Sequence, residues 1–99
     1  MHFGWILDIL PFSSFTIKGH SMEPTIKMGK RVLVFQWAYL FREPKIGDII
    51  VFKKGKEYWV KRIADLQGSK VEVKGDNRND SFEVGLIKKK DIVGRVITA

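Results

Sequence analysis

Beyond residue 14 the chain alternates short apolar runs with polar punctuation. FTIKG (Phe15 to Gly19), KRVLVF (Lys30 to Phe35), DIIVFK (Asp48 to Lys53), EYWVKRIA (Glu57 to Ala64), KVEVK (Lys70 to Lys74) and IVGRVIT (Ile92 to Thr98) are rich in β-branched and aromatic residues, the signature of strands. Gly29, EPKIGD, KKGK, QGS and GDNRND lie between them as turn signals. Strands of this length and spacing predict an all-β fold, a compact, antiparallel, partly closed sheet system with little helix. QWAYLFRE (Gln36 to Glu43) reads as one short helix or an irregular connection.

The first fourteen residues differ in character. FGWILDILPFSSF is apolar but interrupted by Asp8 and Pro11, and it falls short of the about 20 apolar residues that span a bilayer. It has neither a cationic leader nor a small-residue cleavage signal, so it does not read as a signal peptide. Residues 1–14 are therefore expected to form a separate segment. Trp5, Ile6, Leu7, Ile9, Leu10 and Phe12 either dip into a membrane interface or pack on the core.

Residues 15–99 suit a single domain, since a 99-residue chain has no room for a second core. Composition narrows the function. A chain that is 44% hydrophobic and 12% aromatic folds, and the absence of Cys excludes disulfides, thiolate metal sites and cysteine nucleophiles. Eighteen Lys and Arg against eleven acids give +7, which suits an anionic partner or simply a soluble basic surface. The clusters at Lys53 to Lys56 and Lys88 to Lys90 adjoin turn residues and read as solvated loops.

Lys61 stands out because side chains on a strand alternate faces. Trp59, Lys61 and Ile63 share one face of EYWVKRIA, and Tyr58, Val60, Arg62 and Ala64 the other, so the amine has apolar neighbours whichever face is the core. It is either a snorkelling lysine at a sheet rim or a desolvated amine.

GHSMEPT, GDIIVF, VKRIA and GDNRNDS, in that order, resemble the motifs of type I signal peptidases, membrane-associated Ser/Lys endopeptidases that remove leader peptides. The likeness runs from about Phe15 to Val96 and implies a minimal catalytic core of that type. It implies Ser21 as nucleophile, Lys61 as general base and Ser81 as the hydroxyl that orients the amine. Arg62 and Asp76 match a pair that bridges the base strand to the GDN turn. Phe15, Ile17, Met22, Ile26, Trp59 and Val60 fall where the family lines two shallow pockets for small side chains. The backbone N–H of Ser21 is the implied oxyanion donor, and Gly19 occupies a position where some members carry a serine that adds a hydroxyl.

The residue types suit this chemistry. A serine hydroxyl needs a neighbouring base, and a lysine serves as one only where burial disfavours its ammonium. His20 is adjacent to Ser21, but in an extended segment it points to the opposite face. The histidines form no metal motif, and DNRNDSFE lacks the central glycine of a calcium loop, so neither metal nor other cofactor is expected. The run FEVG (Phe82 to Gly85) lacks the arginine that often follows in the family.

The expected function is cleavage of signal peptides from exported preproteins after Ala-x-Ala ends. The enzyme is expected to associate with a membrane lipid surface, its active domain on the extracytoplasmic face and without a full transmembrane helix. The alternatives are a Ser/Lys self-cleaving repressor domain, for which a small-residue cleavage site in a linker is missing, and a basic β-barrel that binds nucleic acid. The latter explains the charge but not the motif order, so no nucleic-acid partner is expected.

Overall fold

The computed structural model describes residues 11–79 and 85–98. Their seven strands are β1 (Phe12–Thr16), β2 (Arg31–Phe35), β3 (Ile49–Lys54), β4 (Glu57–Gln67), β5 (Lys70–Lys74), β6 (Gly85–Lys88) and β7 (Ile92–Thr98). They form one antiparallel sheet in the order β1-β2-β7-β3-β4-β5-β6. The all-β expectation holds.

The sheet is packed on both faces, and β3 shows why. It lies between β7 and β4, so the run Ile49, Ile50, Val51, Phe52 has to be apolar throughout instead of alternating. Val51 joins Ile17, Met22, Ile26, Val32 and Val34 in one cluster, with Ile49 packed against it. Ile50 and Phe52, pointing the other way, join Ile63, Val71 and Val73 in a second. The tight hairpins that join β3 to β4 and β4 to β5 turn on Gly55 (φ 63°) and Gly68 (φ 64°), in the left-handed region that glycine enters without a Cβ penalty.

Several boundaries differ from the sequence reading. β1 begins at Phe12, because Phe12, Ser13 and Ser14 pair with Phe35, Val34 and Leu33. β4 continues to Gln67, its second half pairing with β5 around an irregularity between Ile63 and Asp65. Gln36 to Glu43 holds a single 3-10 turn, Ala38–Leu40. The short strand β6 carries no β-branched run, and it pairs with β5 with Ile87 opposite Val71. β1 and β6 lie at the two ends of this sheet, and closure comes from loops. Thr25 in the β1–β2 loop donates to Asp76 in the β5–β6 loop at 2.6 Å, and Asn77 N–H donates to the Ser21 carbonyl at 2.8 Å.

Gly94 on β7 lies tight against the chain at Phe35 and Gln36. A Cβ there would lie 2.5 Å from the Phe35 carbonyl oxygen and 2.9 Å from the Gln36 Cα, atoms that cannot swing aside. Gly94→Ala is expected to lower stability by about 1 to 3 kcal/mol. In urea unfolding this reads as a lower midpoint with an unchanged slope.

Candidate active site

The β1–β2 loop owes its shape to two buried anchors. Ile17 N–H donates to the Lys30 carbonyl at 2.9 Å and Gly29 N–H to the Ile17 carbonyl at 2.8 Å, which closes the loop at its base. Gly19, at φ 81°, then turns the chain. Met22 and Ile26 lie one turn apart, joined by the Ile26 N–H to Met22 carbonyl bond at 2.9 Å, and each is 1% exposed in the first core cluster. The four-residue spacing drives both side chains into the core and leaves Ser21, Glu23 and Thr25 on the outer side.

This segment is therefore a turn, so the strand alternation that would aim His20 away from Ser21 does not apply to it. The His20 ring meets Glu23 one turn later, Nδ1 to Oε1 at 3.0 Å. The hydrogen bond from His20, then that from Met28 N–H, hold the Glu23 carboxyl below the usual carboxylate range.

Ser21 and Lys61 line one cavity of about 800 Å³. Its walls are residues 15–22 on one side and 56–61 on the other, with Val51 between them. Gly19, Phe15, Ile17, Met22, Trp59 and Val60 all belong to this lining. Ile26 does not; it sits in the first core cluster with Met22. Ser81 lies outside the described residues. The walls meet where Phe15 of β1 packs on Tyr58 of β4, ring centroids 5.4 Å apart. Lys56, read as part of a solvated loop, borders the cavity as well.

Lys61 is half-buried, opposite Ile50 on β3, with its Nζ 5.9 Å from the centroid of the Trp59 ring. Val60, on the other face, packs against the first core cluster. The strand neighbours on the Lys61 face, Trp59, Ile63 and the facing Ile50, are apolar, while the cavity itself also carries Lys18, His20, Lys56 and Glu57. Tyr58 is 53% exposed and Trp59 40% exposed, so the aromatic side chains form a rim and not a lid.

Behind the cavity a polar clamp joins four parts of the chain. Arg62 donates from Nε to Asp76 Oδ1 at 2.9 Å, from Nη2 to Asp76 Oδ2 at 2.8 Å, and from Nη1 to the Gly47 carbonyl at 2.7 Å. Asp76 also accepts from the Thr25 hydroxyl, and Asn77 donates from Nδ2 to the His20 carbonyl at 2.9 Å. The ion pair holds the Asp76 carboxyl below its ordinary range, with Thr25 adding in the same sense against desolvation, and raises the Arg62 guanidinium. Sequence reasoning found Arg62 and Asp76 but missed Thr25 and Asn77. Their signal was polarity retained within the two motifs that the clamp joins.

The family model for signal peptidase, peptidase S26, matches residues 1–78, and the chain belongs to that family. It is 43% identical over 63 residues to signal peptidase IB of Staphylococcus aureus, covering 63% of this chain and 33% of the relative. It is 35% identical over 65 residues to signal peptidase I of Bacillus amyloliquefaciens, covering 66% of this chain and 35% of the relative. The chain thus spans about a third of the length of these relatives.

The clamp gives a pH signature. A carboxyl whose folded pKa lies below its unfolded value stabilises the fold above the unfolded value of about 3.9, and that stabilisation is lost as pH falls through the folded one. Asp76→Asn should lower unfolding free energy near neutrality by about 1 to 2 kcal/mol, discounted because the Arg62 side chain is 36% exposed. The gap between wild type and variant should narrow as urea titrations move from pH 6 towards about pH 3.

Proposed function

We propose that this chain is a serine endopeptidase that removes signal peptides from exported preproteins after Ala-x-Ala ends, with Ser21 as nucleophile and Lys61 as general base. The observation that carries the reading is that a serine and a half-buried lysine, each within a motif of the signal peptidase family, border the same cavity.

In this reaction neutral Lys61 Nζ takes the proton of Ser21 Oγ as the oxygen bonds to the scissile carbonyl carbon, and the carbonyl electron pair moves onto its oxygen. Collapse of the tetrahedral intermediate breaks the C–N bond, and the Lys61 ammonium protonates the leaving amine. Water then attacks the Ser21 ester by the same proton route and restores the hydroxyl. Lys61 lies opposite Ile50, with its Nζ 5.9 Å from the Trp59 ring centroid, so an apolar side chain and an aromatic face border the amine. Ser81 is assigned the orientation of the amine by resemblance to the family.

The substrate would bind as an added strand. Among the described residues β1 pairs only with β2, and β5 pairs with β4 only from Arg62 onward, so the cavity is bordered by strand flanks at Phe15–Thr16 and Glu57–Val60. A peptide laid there gains main-chain hydrogen bonds, while Phe15, Ile17, Met22, Trp59 and Val60 select small side chains. Ile26 acts through Met22, whose wall it supports.

The proposed setting is a lipid surface on the extracytoplasmic side. Trp37, Leu40, Phe41 and Ile46 are 43%, 70%, 80% and 61% exposed on the β2–β3 connection. That connection is held from within by Asp48, which accepts from the Tyr39 hydroxyl at 2.7 Å, Arg42 at 3.3 Å and Lys45 N–H at 3.1 Å. Gln36 N–H donates to the Pro11 carbonyl at 2.6 Å, which sets Pro11 beside the start of this connection. No helix among the described residues is long and apolar enough to cross a membrane.

Incubation with an Ala-x-Ala peptide tests the chemistry. Ser21→Ala and Lys61→Ala should each reduce turnover by at least about a thousandfold, and undiminished turnover in Ser21→Ala overturns the reading. Sedimentation with anionic vesicles tests the surface, where Leu40→Asp with Phe41→Asp should weaken lipid binding several-fold. Equal binding by that variant and wild type removes the connection from the lipid contact.

A further inference from the structure

We infer that Asn77 is a positioning residue that fixes the direction of the Ser21 N–H, the oxyanion donor of the proposed hydrolysis; the inference rests on that proposed reading. Two contacts carry it. Asn77 Nδ2 donates to the His20 carbonyl at 2.9 Å, and Asn77 N–H donates to the Ser21 carbonyl at 2.8 Å.

The orientation of the Asn77 amide follows from its own turn. Asn79 N–H can only donate, and it meets Asn77 Oδ1 at 3.0 Å, which leaves Nδ2 to face His20. The effect on Ser21 passes through one peptide plane. The His20 carbonyl and the Ser21 N–H belong to the same trans peptide unit, in which C=O and N–H point in opposite directions. Holding the carbonyl towards Asn77 therefore aims the N–H away from the β5–β6 loop. The second bond, to the Ser21 carbonyl, does the same for the next plane, so the peptide units on both sides of the Ser21 Cα are held from one side.

The His20 carbonyl has another donor, Glu23 N–H at 3.1 Å, but that contact lies within the loop and moves with it. Asn77 alone of these two belongs to a different element. It is anchored through its neighbour Asp76 to Arg62 on β4, the strand that carries Lys61. The donor to the oxyanion and the base that serves the nucleophile are thereby referenced to the same strand. An electrostatic site of this kind works only when its dipoles are set before the charge develops.

The discriminating variant is Asn77→Asp, made in the full chain. It keeps an oxygen for Asn79 N–H and keeps the main-chain N–H, while it replaces the Nδ2 donor by an oxygen and adds a negative charge, which Asn77→Ala does not. With an Ala-x-Ala peptide, kcat per folded molecule, the folded fraction being read by circular dichroism at the assay temperature, should fall about 10- to 100-fold with KM within about twofold. A peptide aldehyde, whose hemiacetal with Ser21 places an oxyanion at the same donor, should lose affinity by the factor lost in kcat/KM. Asn77→Ala should follow the same line of aldehyde affinity against kcat/KM, which a loss of folded protein would not produce.

An unchanged kcat in both variants overturns the assignment, as does a loss confined to KM with aldehyde affinity untouched. Ser21→Ala, run in parallel, separates the two levels of argument. Turnover retained there removes the proposed hydrolysis and this inference with it; turnover lost there but normal in both Asn77 variants removes only the role of Asn77.

Discussion

The arrangement of this molecule depends on where the Arg62 guanidinium is held. Arg62 lies at the point on β4 where pairing with β5 begins: it faces Ile49 of β3 on one side and Lys74 of β5 on the other. From there it grips both oxygens of Asp76 and the Gly47 carbonyl. A bidentate guanidinium–carboxylate pair fixes angle as well as distance, which a single lysine contact would not. With side-chain exposures of 36% and 17% the pair is neither fully wet nor dry, so its energy is modest. Its geometric consequence is larger. It sets the position of the turn at residues 76–77, and that turn is what the β1–β2 loop bonds to through Thr25, His20 and Ser21.

The candidate site lies where two cores meet. Ser21 belongs to a loop plugged into the first cluster by Met22 and Ile26, while Lys61 points to the face that carries Ile50 and Ile63 of the second. Each is carried by an element whose apolar anchors are buried on a different face of the sheet. β3 supplies adjacent residues to both clusters and so couples them through its backbone. Phe15 against Tyr58 then sets how far apart the walls of the cavity stand.

Much of this was legible in the residues. β5 and β7 fall on the ranges that the apolar runs predict, because each is short, β-branched and bounded by turn residues. β6 was not legible: GLIK has one β-branched residue, and its strand character comes from pairing with β5, a tertiary effect that no local pattern encodes. The turn at residues 20–26 was missed for a related reason. Reading His20 against Ser21 by strand alternation ignored the Met22 and Ile26 spacing, which is helical and apolar and drives both side chains into the core. GDNRNDS and VKRIA pointed to Asp76 and Arg62 through their resemblance to the family's motifs, and the structure pairs the two. Asn77 carried only its polarity within the motif as a signal, which is weak because a neutral amide in a turn is satisfied equally well by water.

Position 19 shows how sequence and geometry constrain one another at the site. Gly19 adopts φ 81°, and a Cβ there would meet nothing within 4 Å, so space does not select glycine. Backbone conformation does, because the left-handed region costs a residue with a Cβ about 1 kcal/mol or more. A serine in the same conformation would fit sterically and bring a hydroxyl at the expense of that strain. With glycine the loop turns without strain and contributes no side-chain donor from this position. In the proposed reaction, oxyanion stabilisation then leans on main-chain N–H groups, whose direction is a property of peptide planes and not of rotamers. A chain that relies on a main-chain donor has to hold the carbonyl of the same plane, and in this structure the holding group is supplied by the GDN turn.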